Sequence, residues 1–410
     1  MASSTGDRIR SLDITRGVAV MGIFSVNVVG MAMIQIAYFY PPAFGFDGQA
    51  DRLMWLANFI LIDGKLRALF SIMFGASTML IIDRAVAAGR SAWRTHYARM
   101  AVLLGFGLAH FFLLWWGDIL THYAAVGTVA FLFARLSAER LLAIAAVGFL
   151  LFAAPSAVVS ANRLSQAAAA AAPEANADAV TRWNESRKPF FPDAATIAAD
   201  RADHASITAH VRSSVREGVF TPFDLGSLWI ETLSLMLLGM AGYKAGFLTG
   251  NWSDRSYRRV AAIGIGTGLL VYAAFGWWTW ASDFALAVSR AAYGGFTPLF
   301  RPVMATGYAA LAILATRRRS AVGDRLAAVG RMAFTNYLMC TVIGVFVFYG
   351  FGGDLYAQVS RGEAWLLVPP VWLLMLAWSK PWLDRFHYGP FEWAWRSLAR
   401  GRAQPMRKRG

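Results

Sequence analysis

The chain has 410 residues, of which 57% are apolar and only 15% charged, with a formal net charge of +15. That composition excludes a disordered chain and argues against an ordinary soluble domain. The positive charge does not point to nucleic acid, because the basic residues fall in short loops between apolar runs. Sixteen Trp and 29 Phe suit a chain whose aromatics line membrane interfaces. Cys340 is the single cysteine and lies inside an apolar run, so neither a disulfide framework nor a cysteine metal site is expected. Arg8 and Arg10 lead into a long apolar segment without a small-residue cleavage site, which reads as a retained anchor.

Ten apolar runs follow one another, near Gly17–Tyr38, Leu66–Ile82, Met100–Trp116, Ile119–Phe133 and Leu141–Ala161. They continue near Leu225–Met240, Val260–Trp280, Pro302–Ala315, Met332–Gly350 and Ala364–Trp378. The predicted class is all-α, a polytopic membrane bundle of about ten transmembrane helices. Alternate loops are rich in Arg and Lys: Arg84 to Arg99, Arg135 and Arg140, Lys244 to Arg259, Arg317 to Arg331, and the tail from Lys380. The positive-inside rule then places both termini in the cytoplasm. The organisation is a bundle over 1–161, an extracytoplasmic (periplasmic) cap or loop over 162–224, a second bundle over 225–384, and a basic cytoplasmic tail over 385–410. The cap begins with an Ala-rich tract and continues at helical spacing, so it reads either as small helices or as a partly disordered segment. Its His204 and His210 lack a third metal-ligand partner at sensible spacing and read as solvated surface residues.

Span one reads LDITRGVAVMGIFSVN. Asp13 and Arg16 are three apart and pair on one face. Arg16 and Asn27 are eleven apart, close to three helical turns, and so share a face roughly 16 Å apart along the axis. An anchoring ion pair with a packing Asn is one reading; a polar track from cytoplasm to membrane centre is the other. Span two opens with Lys65 and Arg67 at its outer end, either snorkelling to the interface or binding a polar outer ligand. Ser71, Gly75 and Ala76 allow close helix packing.

Span three places His110 roughly 15 Å in from Arg99. An ionisable side chain at that depth faces a bundle interior or a watery cavity, as a structural His or as a functional one. Asp118 follows, by helical rise roughly 12 Å further out, with His122 and Tyr123 beyond it. It can cap the next helix, orient a His or serve as a base. In span nine, Arg331, Thr335 and Asn336 stand at the cytoplasmic edge, where an Arg suits a phosphate as well as positive-inside anchoring. HYGPFEWAWRSL in the tail reads as an amphipathic interfacial helix with Glu392 and Arg396 four apart. No P-loop, dinucleotide fingerprint, nucleophile elbow or H-E-x-x-H occurs.

Together, LDITRGVAVMGIFSVN, GKLRALFSIMFGA, LGFGLAHFFLLWWGDILTHYAAVG, GRMAFTNYL and YGPFEWAWR resemble the YeiB family of bacterial inner-membrane proteins, labelled as a domain of unknown function. The stretches run from Leu12 to about Leu398. That family is similar to a wider group of transmembrane acyltransferases, which includes the lysosomal heparan-glucosaminide acetyltransferase and bacterial sugar acylases. The resemblance implies transfer of an acyl group, acetyl in the first place, from cytoplasmic acetyl-CoA or a related acyl-CoA to an extracytoplasmic acceptor such as a glycan or small molecule. It implies an inner-membrane location, the bilayer as partner, no metal, and by analogy a homodimer. The sugar acylases carry an Arg and a His on span one; here Arg16 is followed by Asn27, so the essential His comes from elsewhere. His110 is the candidate, as base or acyl carrier, with Asn27 toward the oxyanion and Asp118 beside it. Arg16, Arg331 and Asn336 would meet the CoA, and Lys65 and Tyr123 the acceptor. A transporter or flippase, in which the same buried polar residues line a solute path, is the alternative; a non-catalytic scaffold is the third.

Overall fold

The computed structural model describes residues 10–218 and 222–408, with side chains in the second stretch from 229 onward. Among these residues the chain is helical and contains no β-strand. It opens with α1 (Arg10–Ala32), α2 (Gln35–Phe39) and α3 (Gln49–Leu61), which a tight turn joins to α4 (Lys65–Ala87). Next come α5 (Ala92–Leu113), α6 (Leu120–Ala130) and α7 (Ala138–Ala171). Three short helices follow: α8 (Ala177–Arg187), α9 (Ala194–Asp203) and α10 (Ile207–Glu217). The second half holds α11 (Pro222–Lys244), α12 (Asp254–Ala281), α13 (Leu286–Arg290) with a π turn over Ala291–Phe296, and α14 (Phe300–Thr316). It ends with α15 (Ala321–Arg331), α16 (Ala333–Phe348), α17 (Arg361–Trp365), α18 (Val368–Arg385) and α19 (Pro390–Ala399).

Six segments are long and apolar enough to cross a bilayer: α1, α3 with α4, α5, α7, α12, and α17 with α18. Two sharply bent pairs add to these, α13 with α14 at 60° and α15 with α16 at 81°, which makes up to eight among the described residues. All ten expected runs fall on helices, yet length and composition carry eight at most. The fourth, Leu120–Phe133, is short, and the sixth lies partly outside the described side chains. Helices this long and apolar suit a membrane protein.

α1 is the organising element. In its apolar window 78% is buried, against 17% for α7, so α1 is enclosed by protein while α7 turns most of its surface outward. It packs on α4, α14, α15 and α16. Close approach elsewhere depends on small residues, as Gly75 promised: a Cβ there would lie 1.9 Å from the Met236 carbonyl on α11, and one at Gly239 1.9 Å from the Ile72 carbonyl on α4. Side chains are absent where the two backbones touch.

The structure bears on three further points. The 162–224 segment is helical where described, with the Ala-rich tract continuing α7 to Ala171. His204 and His210 are not solvated: they are 7% and 2% exposed, packed against Tyr349 and Tyr356 beyond α16. Between the first two expected spans the structure adds a further helix, α3, whose Trp55 and Phe59 join a core with Tyr272 and Phe284.

Candidate functional site

α5 ends at Leu113, and the amides of Leu114 and Trp115 both bond the His110 carbonyl at 3.0 Å. The chain therefore folds over His110 instead of running on. Asp118 returns to it: His110 Nδ1 lies 2.9 Å from Asp118 Oδ1, with both side chains 1% exposed. Asp118 also accepts from the amides of Leu120 at 3.1 Å and Thr121 at 2.7 Å, capping α6. Two of its expected roles, cap and His-orienter, are thus filled by one carboxylate. The expected separation of roughly 12 Å along a continuous helix does not hold, because the helix stops short. A carboxylate on Nδ1 keeps the proton there and leaves Nε2 as the basic nitrogen. Nε2 meets Thr341 Oγ1 of α16 at 3.1 Å, while Tyr337, one turn earlier, lies beside the ring at 5.3 Å. The Tyr337 hydroxyl is buried beside the Ile119 backbone.

One side of this pair is an indole wall. Trp115 and Trp116 both donate to the Gly30 carbonyl of α1, at 2.9 and 3.2 Å. Asn27 is buried on α1 one turn before Gly30.

A second polar group converges at the other end of α1. Arg16 bonds Asp13 at 3.2 Å, as its spacing required, and also Ser77 of α4 at 2.7 Å and the Gly330 carbonyl of α15 at 3.5 Å. Arg331 follows Gly330 directly, and Asn336 bonds the Val329 carbonyl at 3.1 Å, so the three expected donor-site residues meet on the last turn of α15. Asn336 is committed further, to Ser379 at 3.1 Å and Trp378 at 3.0 Å. Arg99 stacks over Trp395 at 4.2 Å, and its charge is repelled by Arg396, Arg400 and Arg16, which marks a shared basic end. Glu392 of the tail helix is nearly buried and accepts from Phe334 N at 2.8 Å, Thr335 N at 3.1 Å and Thr335 Oγ1 at 2.5 Å, capping α16 at its bend.

Lys65 and Tyr123 are not brought to His110 by any hydrogen bond. Lys65 does not snorkel: it is fully buried, donating to the Phe59 carbonyl and lying 3.3 Å over the Tyr272 ring. Tyr123 shares a 2.6 Å hydrogen bond with Ser71. Sequence reasoning missed Glu231 and Arg301. Glu231, fully buried, receives Arg67 at 2.5 Å and Arg301 at 3.1 Å. Its signal was visible: it is the one charged residue within Leu225–Met240. Beside this network, a small, partly enclosed pocket opens between α1, α3, the π turn and α17, with Asn58, Asp63, Ser289, Tyr293 and Arg361 in its lining. Among the described residues no group of three His, Cys, Asp or Glu side chains is placed to hold a metal ion.

Residues 242–402 match the family model described as "Protein of unknown function (DUF418)". The chain is 30% identical over 403 residues to the uncharacterized protein YeiB of Escherichia coli (strain K12), covering 97% of this chain and 98% of that one. The chain belongs to this family. It is also 28% identical over 429 residues to the uncharacterized protein YxaH of Bacillus subtilis (strain 168), covering 99% of this chain and 97% of that one. An uncharacterized 39.9 kDa protein in the amylase 3'region of Bacillus acidopullulyticus is 23% identical over 411 residues, covering 98% and 96% of the two chains. No solved structure matches.

Proposed function

We propose that the protein is a membrane-bound acyltransferase of the inner membrane that moves an acetyl or related acyl group from cytoplasmic acyl-CoA to an extracytoplasmic glycan or small molecule. In this reading it crosses the membrane about ten times with both termini inside and belongs to the wider group of transmembrane acyltransferases. The observation that carries it is the buried His110–Asp118 pair, 2.9 Å apart, with the basic nitrogen turned to a hydroxyl. Thr341 stands where an acceptor hydroxyl or amine would sit. His110 Nε2 takes the acceptor proton as the acceptor atom attacks the thioester carbonyl. Asn27 donates to the developing oxyanion. The carbon–sulfur bond breaks, and His110 returns the proton to the leaving thiolate.

The basic end formed by Arg16, Arg99, Arg331, Arg396 and Arg400 suits the phosphates of the donor. The Arg67–Glu231–Arg301 network is the observation that favours the transporter reading, since buried charge also lines solute and proton paths. The test is release of free CoA from acetyl-CoA by the purified protein, with cell-envelope extract as acceptor source. Wild type releases CoA and His110→Ala does not. Equal release by a folded His110→Ala variant would sink the assignment.

A further inference from the structure

The pocket between α1, α3, the π turn and α17 holds two opposite charges that do not pair with each other. Arg361 is 6% exposed and donates to the Ala37 carbonyl, while its Nε has no hydrogen-bond partner. Among the described residues no carboxylate bonds it directly; Asp63 and Asp51 act on its charge from across the pocket. Asp63 also lines the pocket and makes one long hydrogen bond, 3.4 Å from the Tyr293 hydroxyl. Ser289, 5% exposed, contributes a buried hydroxyl with no partner at all. Tyr38, Trp55 and Tyr293 supply aromatic surface. A buried guanidinium that touches no carboxylate and buried donors without acceptors are costly. They are inexpensive when a ligand completes them.

We infer that this pocket binds a small zwitterion, such as a free amino acid, with a carboxylate and an ammonium a few bonds apart. The carboxylate accepts from Arg361 Nε and the Ser289 hydroxyl. The ammonium faces Asp63 and the aromatic rings, which favour a desolvated cation. A neutral sugar would bring an opposite charge into contact with neither group, and a simple anion would bring none to Asp63. The inference does not rest on acyl transfer, because it is read by binding with no donor present.

The test is calorimetric titration of the protein in lipid nanodiscs with free L-amino acids and 4-aminobutanoate, each beside its deaminated acid and its decarboxylated amine, and with glucose. At least one zwitterion binds saturably, and removing either charge weakens binding about tenfold or more, the scale of a lost hydrogen bond to a charged group. Asp63→Asn removes the preference for the zwitterion over its deaminated acid. Ser289→Ala weakens binding, yet the empty variant melts no lower than wild type, because no existing hydrogen bond is lost. Failure of every zwitterion to bind, equal binding of a singly charged analogue, preference for glucose, or affinity unchanged in both variants would each overturn it.

Discussion

Replacing Asp118 tests the geometry at the centre of the molecule. Its carboxylate serves His110 Nδ1 and the amides of Leu120 and Thr121 at once. Asp118→Ala removes an N-terminal cap, at about 0.5–2 kcal/mol. It also leaves a buried imidazole N–H unpaired, at about 1–3 kcal/mol. The two costs share one residue, so the expected loss is about 2–4 kcal/mol. Asp118→Asn keeps one acceptor oxygen, which serves either the imidazole or the helix. It is expected to lose only about 1 kcal/mol of stability while lowering acyl transfer by 10²-fold or more, since the imidazole is no longer held in one tautomer. Thermal unfolding in detergent and CoA release from acetyl-CoA read the two effects separately. An Asp118→Ala variant as stable as wild type would refute the structural reasoning. An Asp118→Asn variant with full transfer would refute the catalytic one.

Glu231→Gln leaves Arg67 and Arg301 buried without their shared counter-ion, and should cost about 3–5 kcal/mol in thermal unfolding. Gly330→Ala would put a methyl 1.8 Å from the Asp13 carbonyl, so α15 must move off α1. The expected result is a loss of about 1–3 kcal/mol together with weaker donor binding, because Arg16 leans on the Gly330 carbonyl. Burial, then the neighbouring His204, pushes His210 down from its ordinary 6.5 to about 4. Unfolded chains therefore take up a proton at His210 before folded ones do. Its contribution is intact above pH 6.5 and fades as pH falls toward 4, by on the order of 2 kcal/mol. His204, Asp203 and Asp200 also face this cluster, so the pH profile of unfolding should be compared with that of His210→Phe, which is expected to be flatter over that window.

The helices were legible because apolar runs of spanning length leave few alternatives. Arg16 with Asp13 and the small-residue contact at Gly75 were equally visible, since each rests on local spacing, whereas the Asp118–His110 contact was not, because it depends on α5 ending at Leu113. What stayed hidden depends on contacts distant in sequence. Thr341 lies 231 residues from His110, and Arg301 lies 70 from Glu231. Nothing in local pattern brings such residues together. α3 was missed because its Asp51, Arg52 and Asn58 break an otherwise apolar stretch, yet the structure buries Asp51 and Asn58. His204 and His210 read as surface residues because their burial is supplied by Tyr349 and Tyr356, more than a hundred residues away.

The most direct test of the account is binding of acetyl-CoA and free CoA to the purified protein, with Arg16→Ala and His110→Ala measured alongside. The account predicts saturable binding that is lost in Arg16→Ala and kept in His110→Ala, a donor site at the basic end feeding a separate imidazole. Absence of binding by any acyl-CoA would contradict it and leave the transporter as the better reading.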